Sequence, residues 1–133
     1  MKKVITLVAA IMLLVTSSLA LAGCGGTKTL EEYVNSDSDV QQELSDLESS
    51  LGNGGSITVK ENNIELIYKY DQTFDEATAT AMKPQLEQAM NSMESQFQGM
   101  IDDLEEDSGI DDVSMTIVYQ DANGTELYSN TYQ

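Results

Sequence analysis

Several residue types on which enzyme chemistry commonly depends are missing from this chain of 133 residues. It has no histidine, no tryptophan and no arginine, and it contains a single cysteine, Cys24. Without histidine, the chain cannot build a Ser-His-Asp triad, a Cys-His dyad or a zinc site of the usual Cys/His kind. A lone cysteine forms no disulfide within the chain, so an exported domain with this sequence relies on its apolar core.

Positive charge is also scarce. Six lysines stand against 23 aspartates and glutamates, which gives a formal net charge of −17. Because arginine is absent, the chain has no side chain for bidentate recognition of phosphate, and its acidic surface repels a nucleic-acid backbone. We therefore exclude nucleic acid as a partner and expect any charged partner to be basic.

The first residues that are informative by their presence lie near the N-terminus. An uncharged apolar run over residues 4–22 follows two lysines and ends in small residues, which is typical of a secretory signal peptide. Its ending, Leu21-Ala22-Gly23-Cys24, resembles the lipobox of bacterial lipoproteins. The resemblance implies that the Cys24 thiol receives a diacylglyceryl group and that cleavage follows Gly23. Since two acyl chains anchor stably, we expect attachment to the extracytoplasmic face of the cell membrane.

The alternative for the same run is an uncleaved membrane helix, because about 19 apolar residues approach the length that spans a bilayer. Under the lipoprotein interpretation, residues 1–23 are the signal peptide, residues 24–29 are the lipidated cysteine with a short tether, and residues 30–133 form a single domain. Four lysines and all 23 acids then remain, so the mature net charge is −19. That value lies far outside the range of about 2 to 8 usual for a small domain.

Two helical patterns precede the first predicted strand of the mature chain. Thr29-Leu30-Glu31-Glu32 fits a capping box and predicts a short helical turn. Apolar residues at helical spacing from Val40 to Leu51, followed by Gly52, predict a second helix with a glycine C-cap.

The longest helical pattern is further along. Thr73-Phe74-Asp75-Glu76 fits another capping box, and an apolar stripe continues from Met82 to Leu104. Pro84 interrupts this stripe, and proline in a helix interior costs about 3 kcal/mol. We therefore expect a kink or short break near Lys83, with Pro84 in a first turn.

Four β-strands are predicted from branched and aromatic residues. The runs 57–59 and 64–70 flank Glu61-Asn62-Asn63 and indicate one hairpin, and the runs 113–119 and 126–132 flank Asp121-Ala122-Asn123-Gly124 and indicate another. The order helix, hairpin, helix, hairpin favours an α+β two-layer sandwich. We expect a four-stranded antiparallel sheet with the helices packed on one face.

Short segments of the mature chain carry a family resemblance. Together with the lipobox, they are Leu30-Glu31-Glu32-Tyr33-Val34, Leu66-Ile67-Tyr68-Lys69-Tyr70, Ala81-Met82-Lys83 and Thr116-Ile117-Val118-Tyr119. They resemble a family of small, uncharacterised lipoproteins of clostridial Gram-positive bacteria, a domain family of unknown function. The resemblance implies exposure on the outer face of a Gram-positive membrane and supplies no catalytic residue.

Tyrosines on the predicted strands are the first candidate site. We take Tyr68, Tyr70, Tyr119 and Tyr128 as candidate partner-binding residues, because tyrosine provides rigid contact area on a sheet face. The alternative is ordinary cross-strand packing.

Seven acids between residues 102 and 112 are the second candidate site. Their oxygen ligands suit calcium, and Asp107, Asp111 and Asp112 are weak metal candidates. An EF-hand loop starting at Asp103 fails, because its twelfth residue is Ser114. The alternative is solvated charge at a helix end. Beyond weak calcium binding and the lipid on Cys24, we expect no cofactor.

Three function classes remain open. The leading hypothesis is a membrane-anchored, non-enzymatic binding or accessory module whose acidic field attracts a basic protein or peptide. The second is a divalent-cation-binding or structural protein close to the cell wall. The third is a small hydrolase that uses carboxylates, although the chain has no tryptophan to stack a sugar. We expect that the protein is not an enzyme.

Overall fold

The structure is a computed structural model and describes residues 28–133. It contains four helices and four strands within that range. In chain order they are α1 (Leu30–Ser36), α2 (Ser38–Ser50), β1 (Gly55–Lys60), β2 (Asn63–Lys69), α3 (Glu76–Asn91), α4 (Glu94–Ser108), β3 (Ser114–Gln120) and β4 (Glu126–Tyr132).

The four strands form one sheet in the order β1-β2-β3-β4. The α+β class is confirmed, and both predicted hairpins pair antiparallel. The expectation of a wholly antiparallel sheet is wrong for the central pair, because β2 and β3 run parallel, with Leu66 opposite Ile117. Two helices lie between these strands in the chain, and such a crossover returns the chain to the edge where β2 began.

The first helix begins at the capping box that the sequence indicated, and the second helix ends before the predicted glycine. The Thr29 hydroxyl accepts the Glu32 backbone N–H at 3.2 Å, and the Glu32 carboxylate accepts the Thr29 N–H at 3.3 Å. Asp37 separates α1 from α2 and accepts the Asp39 N–H at 2.9 Å. Gly52 follows α2 with φ of +75°, a left-handed conformation that glycine adopts without steric cost. These local predictions are confirmed.

The long helical pattern divides at a different place from the predicted one. Helix α3 begins after Asp75, so the expected capping box from Thr73 is wrong: the N-cap is Asp75, whose carboxylate accepts the Thr78 N–H at 2.8 Å. The helix continues through Pro84 without ending. The break lies at Ser92 and Met93, where Met93 has φ of −110° and ψ of 0°. Of the expected kink or short break near Lys83, the break is wrong, and so is the first-turn position of Pro84, which lies inside α3. Pro84 is exposed, so water can satisfy the carbonyl left without a helical donor.

The core lies between the helices and one face of the sheet, so the predicted two-layer packing is confirmed. The break before α4 lets α3 and α4 both direct apolar side chains into it. The main buried residues are Leu66, Leu86, Met90, Phe97, Met100, Ile101, Met115, Ile117, Tyr119, Tyr128 and Tyr132. The opposite sheet face is mainly polar, with the cross-strand row Thr58, Glu65, Thr116 and Thr131.

Close packing between α2 and β1 makes Gly55 a sensitive position. A Cβ atom added at Gly55 would overlap the side chain of Leu51. We expect Gly55→Ala to lower the free energy of unfolding by about 1–3 kcal/mol, as overpacking does. The matched control is Gly99→Ala in α4, where a Cβ would meet no atom within 4 Å. That change should raise stability by about 0.5–1 kcal/mol. Urea unfolding checks both, and a neutral Gly55→Ala would contradict this packing.

Candidate functional site

Aromatic side chains meet where β2 ends and β3 runs beside it. Tyr68 contacts Tyr70 edge to face at a centroid distance of 5.3 Å, and it contacts Tyr119 at 5.6 Å. Tyr70 contacts Phe74 edge to face at 5.5 Å. Tyr128 extends the group, 6.4 Å from Tyr119. We call these five residues the aromatic cluster. It brings together all four tyrosines that the sequence offered as partner-binding candidates.

The members of the aromatic cluster differ in exposure. Tyr119 and Tyr128 are only 1% and 6% exposed, so they support the others from the core. Burial, followed by the neighbouring Tyr70 and Tyr68, raises the pKa of Tyr119 well above its ordinary value. Tyr68, Tyr70 and Phe74 are partly exposed. They form the part of the cluster that a partner can touch.

Phe74 was not among the sequence candidates. It directly precedes Asp75, the N-cap of α3, and both Phe74 and Ala79 pack against the core. An apolar residue before the N-cap that pairs with one at the fourth helical position is a hydrophobic staple. That pattern was the signal that could have identified Phe74.

Asp121 is the one acid that the structure buries, and it holds the loop beside the aromatic cluster in place. Its Oδ1 atom accepts backbone N–H groups from Asn123 and Thr125, each at 2.8 Å. The next residue, Ala122, donates its N–H to the carbonyl of Gln72 at 3.0 Å. The β3–β4 turn is therefore fastened to the loop that carries Phe74.

The hydrogen bonds to Asp121 determine how its carboxyl group is expected to titrate. The Thr125 backbone N–H is the main cause that lowers the pKa of Asp121 below its ordinary value of 3.8, against a smaller opposing effect of burial. A carboxylate with a lowered folded pKa stabilises the fold above its unfolded pKa, and this contribution is lost as pH falls through the folded pKa. We therefore expect the Asp121 carboxyl carbon to titrate below pH 3.8 by NMR. Titration at or above that pH would contradict the hydrogen bonding.

Carboxylates from two parts of the chain act on Tyr33 of α1, and they are partly exposed (Asp37, Glu43) or exposed (Asp107). The pKa of Tyr33 is raised first by burial and then by the charges of Asp37, Asp107 and Glu43. Asp103 lies one turn before Asp107 on the same side of α4. We call Asp37, Glu43, Asp103 and Asp107 the acidic surface. It joins the start and middle of α2 to the end of α4 in one negatively charged region.

The metal candidates do not gather into a coordinating group. The backbone carbonyl of Asp111 accepts the Asn62 side-chain amide at 3.1 Å, and Asp112 adopts a left-handed turn with φ of +60°. Asp107 belongs to the acidic surface. Among residues 28–133, no three or more Asp, Glu, Cys or His side chains are placed to hold a metal ion.

The predicted cleavage and lipidation positions, Gly23 and Cys24, lie outside the described residues. Within residues 28–133, no helix has both the length and the apolar character needed to cross a bilayer.

Comparison with known proteins gives a family and no assigned activity. Residues 30–132 match the domain of unknown function DUF4854. No curated protein and no solved structure matches the chain significantly. The match begins at the first residue of α1 and ends at the last residue of β4, so it covers every helix and strand described above. The chain therefore belongs to the DUF4854 family.

Proposed function

We propose that this protein is a bacterial lipoprotein, anchored through Cys24 to the extracytoplasmic face of the membrane of a Gram-positive cell. We further propose that its folded domain is a non-enzymatic module that binds a basic protein or peptide. The anchor rests on the lipobox-like Leu21-Ala22-Gly23-Cys24 sequence. The binding role rests on how charge is distributed over the domain.

The observation that carries the binding role is that nearly every acid within residues 28–133 is at least partly exposed. Of 23 aspartates and glutamates, only Asp121 is buried. Four lysines between residues 28 and 133 leave a net charge of −19. A potential of that size attracts a basic partner over distances of about one Debye length, near 8 Å in physiological salt. It also repels anionic lipid, which favours a domain that stands away from the bilayer.

If the protein is anchored through Cys24, the attachment point of the tether indicates which end of the domain lies near the membrane. Leu30 is buried, and its N–H is donated to the Asn62 side chain at 3.1 Å. Glu31 and Glu61 are joined by two further hydrogen bonds at 2.9 and 2.8 Å. The tether therefore enters beside the β1–β2 turn. Tyr70 lies at the other end of β2, about 20 Å further along the strand.

This geometry gives the proposed module two functional ends. The anchored end carries the β1–β2 turn, and the distal end presents the exposed part of the aromatic cluster, formed by Tyr68, Tyr70 and Phe74. Aromatic faces beside carboxylates such as Asp71 and Asp75 suit lysine and arginine side chains, which bind through cation–π and ionic contacts together. In this proposal the acidic surface attracts the basic partner over distance, and the exposed aromatic side chains at the distal end contact it.

Affinity capture tests the proposal. Residues 27–133 are immobilised and exposed to a cell-envelope extract, then washed at about 0.15 M and about 1 M salt, where the screening length falls to about 3 Å. We expect a basic protein to be retained in the first wash and released in the second. The control bait carries Glu43→Gln, Asp103→Asn and Asp107→Asn, and should retain much less. If no specific basic protein is retained by the unaltered bait, the binding role is wrong.

A further inference from the structure

Strand β4 has a free edge. It is the last strand in the order β1-β2-β3-β4, and within the described residues it pairs with β3 alone. Three successive residues, Ser129, Asn130 and Thr131, are all exposed although their side chains alternate between the two sheet faces. Neither sheet face is therefore covered along this part of β4, and the described residues place no further strand beyond it. The backbone groups on this side are therefore accessible to another chain.

The sequence of β4 lacks the features that usually protect an edge. Proteins block free edges with lysine, proline, a covering helix or strong bulges. From Leu127 to Tyr132 the strand has no charge and no proline, in a domain that is otherwise densely acidic. Its irregularity is confined to the start, where the register shifts between Tyr119 and Gln120 of β3. The other edge strand, β1, differs in that it ends in Lys60. Helices contact both edge strands: α1 and α2 lie against β1, and α3 and α4 lie against β4.

We propose that β4 binds an extended, lysine- or arginine-rich segment of a protein partner as a fifth strand of the sheet. In this binding mode the main-chain hydrogen bonds supply affinity, and side chains that alternate between the faces supply specificity. The proposal rests on the proposed function, because it gives the basic partner of the acidic module a second contact, in addition to the exposed part of the aromatic cluster.

Charge decides between a basic partner and a second copy of the chain. Pairing β4 with β4 would bring together two domains that each carry −19. A basic strand would instead lie beside Glu126, at the start of β4, and near Glu87 of α3, whose charge acts on Tyr128 of the same strand. Like charges across an interface disfavour association, and opposite charges favour it and fix the register.

A peptide probe tests this assignment on the full mature chain, purified in uncharged detergent. The probe is a ten-residue peptide that alternates lysine and valine, and the control is the same peptide with five consecutive central backbone amides N-methylated, which removes donors from both edges of the peptide. Both have the same charge, but the control cannot donate all of its strand hydrogen bonds. We expect the control to bind about 100-fold more weakly, as the loss of two or three hydrogen bonds of about 1 kcal/mol implies. Amide exchange of residues 127–131 should slow only with the unmodified peptide.

Proline variants locate the contact on β4. The amides of Ser129 and Asn130 point to opposite sides of the strand, because neighbouring residues alternate in an antiparallel ladder. One of the variants Ser129→Pro and Asn130→Pro replaces the residue whose amide faces outward. That variant should keep its melting temperature within a few degrees and should lose peptide binding. Retained binding in that folded variant would overturn the proposal. If both variants unfold, the comparison of the two peptides on the unaltered chain still decides.

The remaining outcomes separate this proposal from the proposed function. If both peptides bind equally and salt weakens both, the edge assignment is wrong and the acidic binding role stands. If neither peptide binds at about 0.05 M salt, both are wrong. Sedimentation of the chain alone should show a monomer, and a dimer abolished by the outward-facing proline variant would overturn the basic partner in favour of self-pairing.

Discussion

A Cys24→Ser variant of this protein, expressed in a Gram-positive host, is expected to incorporate no labelled fatty acid and to keep residues 1–23. Only a thiolate is nucleophilic enough to accept the diacylglyceryl group, and a serine hydroxyl at this position is not. Since two acyl chains give stable anchoring, the unaltered protein should be labelled and held in the membrane fraction. Intact-protein mass spectrometry and fatty-acid labelling measure both effects.

For Cys24→Ser, the fraction of the protein found in the membrane does not decide the test. The apolar run over residues 4–22 is long enough to hold an unprocessed precursor in the bilayer. Gly25→Ser is the matched control, since it changes a neighbouring tether residue and should leave labelling intact. Fatty-acid labelling that persists in Cys24→Ser, or a mature N-terminus at a residue other than 24, would contradict lipidation at this cysteine.

Truncating Phe97 to alanine is expected to lower the free energy of unfolding by about 3–5 kcal/mol, the cost typical of a large cavity in a core. Phe97 is fully buried on α4, and its ring centroid lies 4.9 Å from that of Tyr132 on β4. The side chain therefore joins the last helix to the last strand. A loss of this size would remove a large share of the total stability of about 5–15 kcal/mol that is typical of a domain. Urea unfolding followed by circular dichroism measures it.

The other phenylalanine of the chain, Phe74, provides the control. Phe74→Ala removes the same group, but Phe74 is partly exposed in the aromatic cluster. This variant should therefore lose much less free energy of unfolding. The difference between the two variants isolates the effect of burial. Equal losses would contradict the position of α4 against the sheet.

Local structure was the part of the fold that could be predicted from the sequence. The Thr29 capping box, the C-cap at Gly52 and the alternation in the strands each depend on residues a few positions apart. Alternation also placed Tyr68 and Tyr119 among the candidates, and they do lie in contact. Which tyrosines remain accessible could not be predicted, because burial depends on where the helices pack.

Long-range arrangement was less predictable. Strand alternation is the same in parallel and antiparallel pairing, so nothing near Leu66 or Ile117 indicates that β2 and β3 run parallel. Proline was the strongest local signal for a helix break, but Pro84 is exposed and tolerated, and the chain turns instead at Met93. Asp121 resembled an ordinary turn residue, and its burial arises from contact with a loop about 50 residues earlier.

The central claim is that the acidic surface recruits a basic partner, and the salt dependence of the equilibrium affinity tests it most directly. The captured partner is titrated with the unaltered domain and with the Glu43→Gln, Asp103→Asn, Asp107→Asn variant, between about 0.05 and 0.5 M salt. We predict that the affinity falls steeply with salt for the unaltered domain, and that the variant binds more weakly with a shallower dependence. An affinity that is independent of salt, or equal in the two proteins, would contradict the claim.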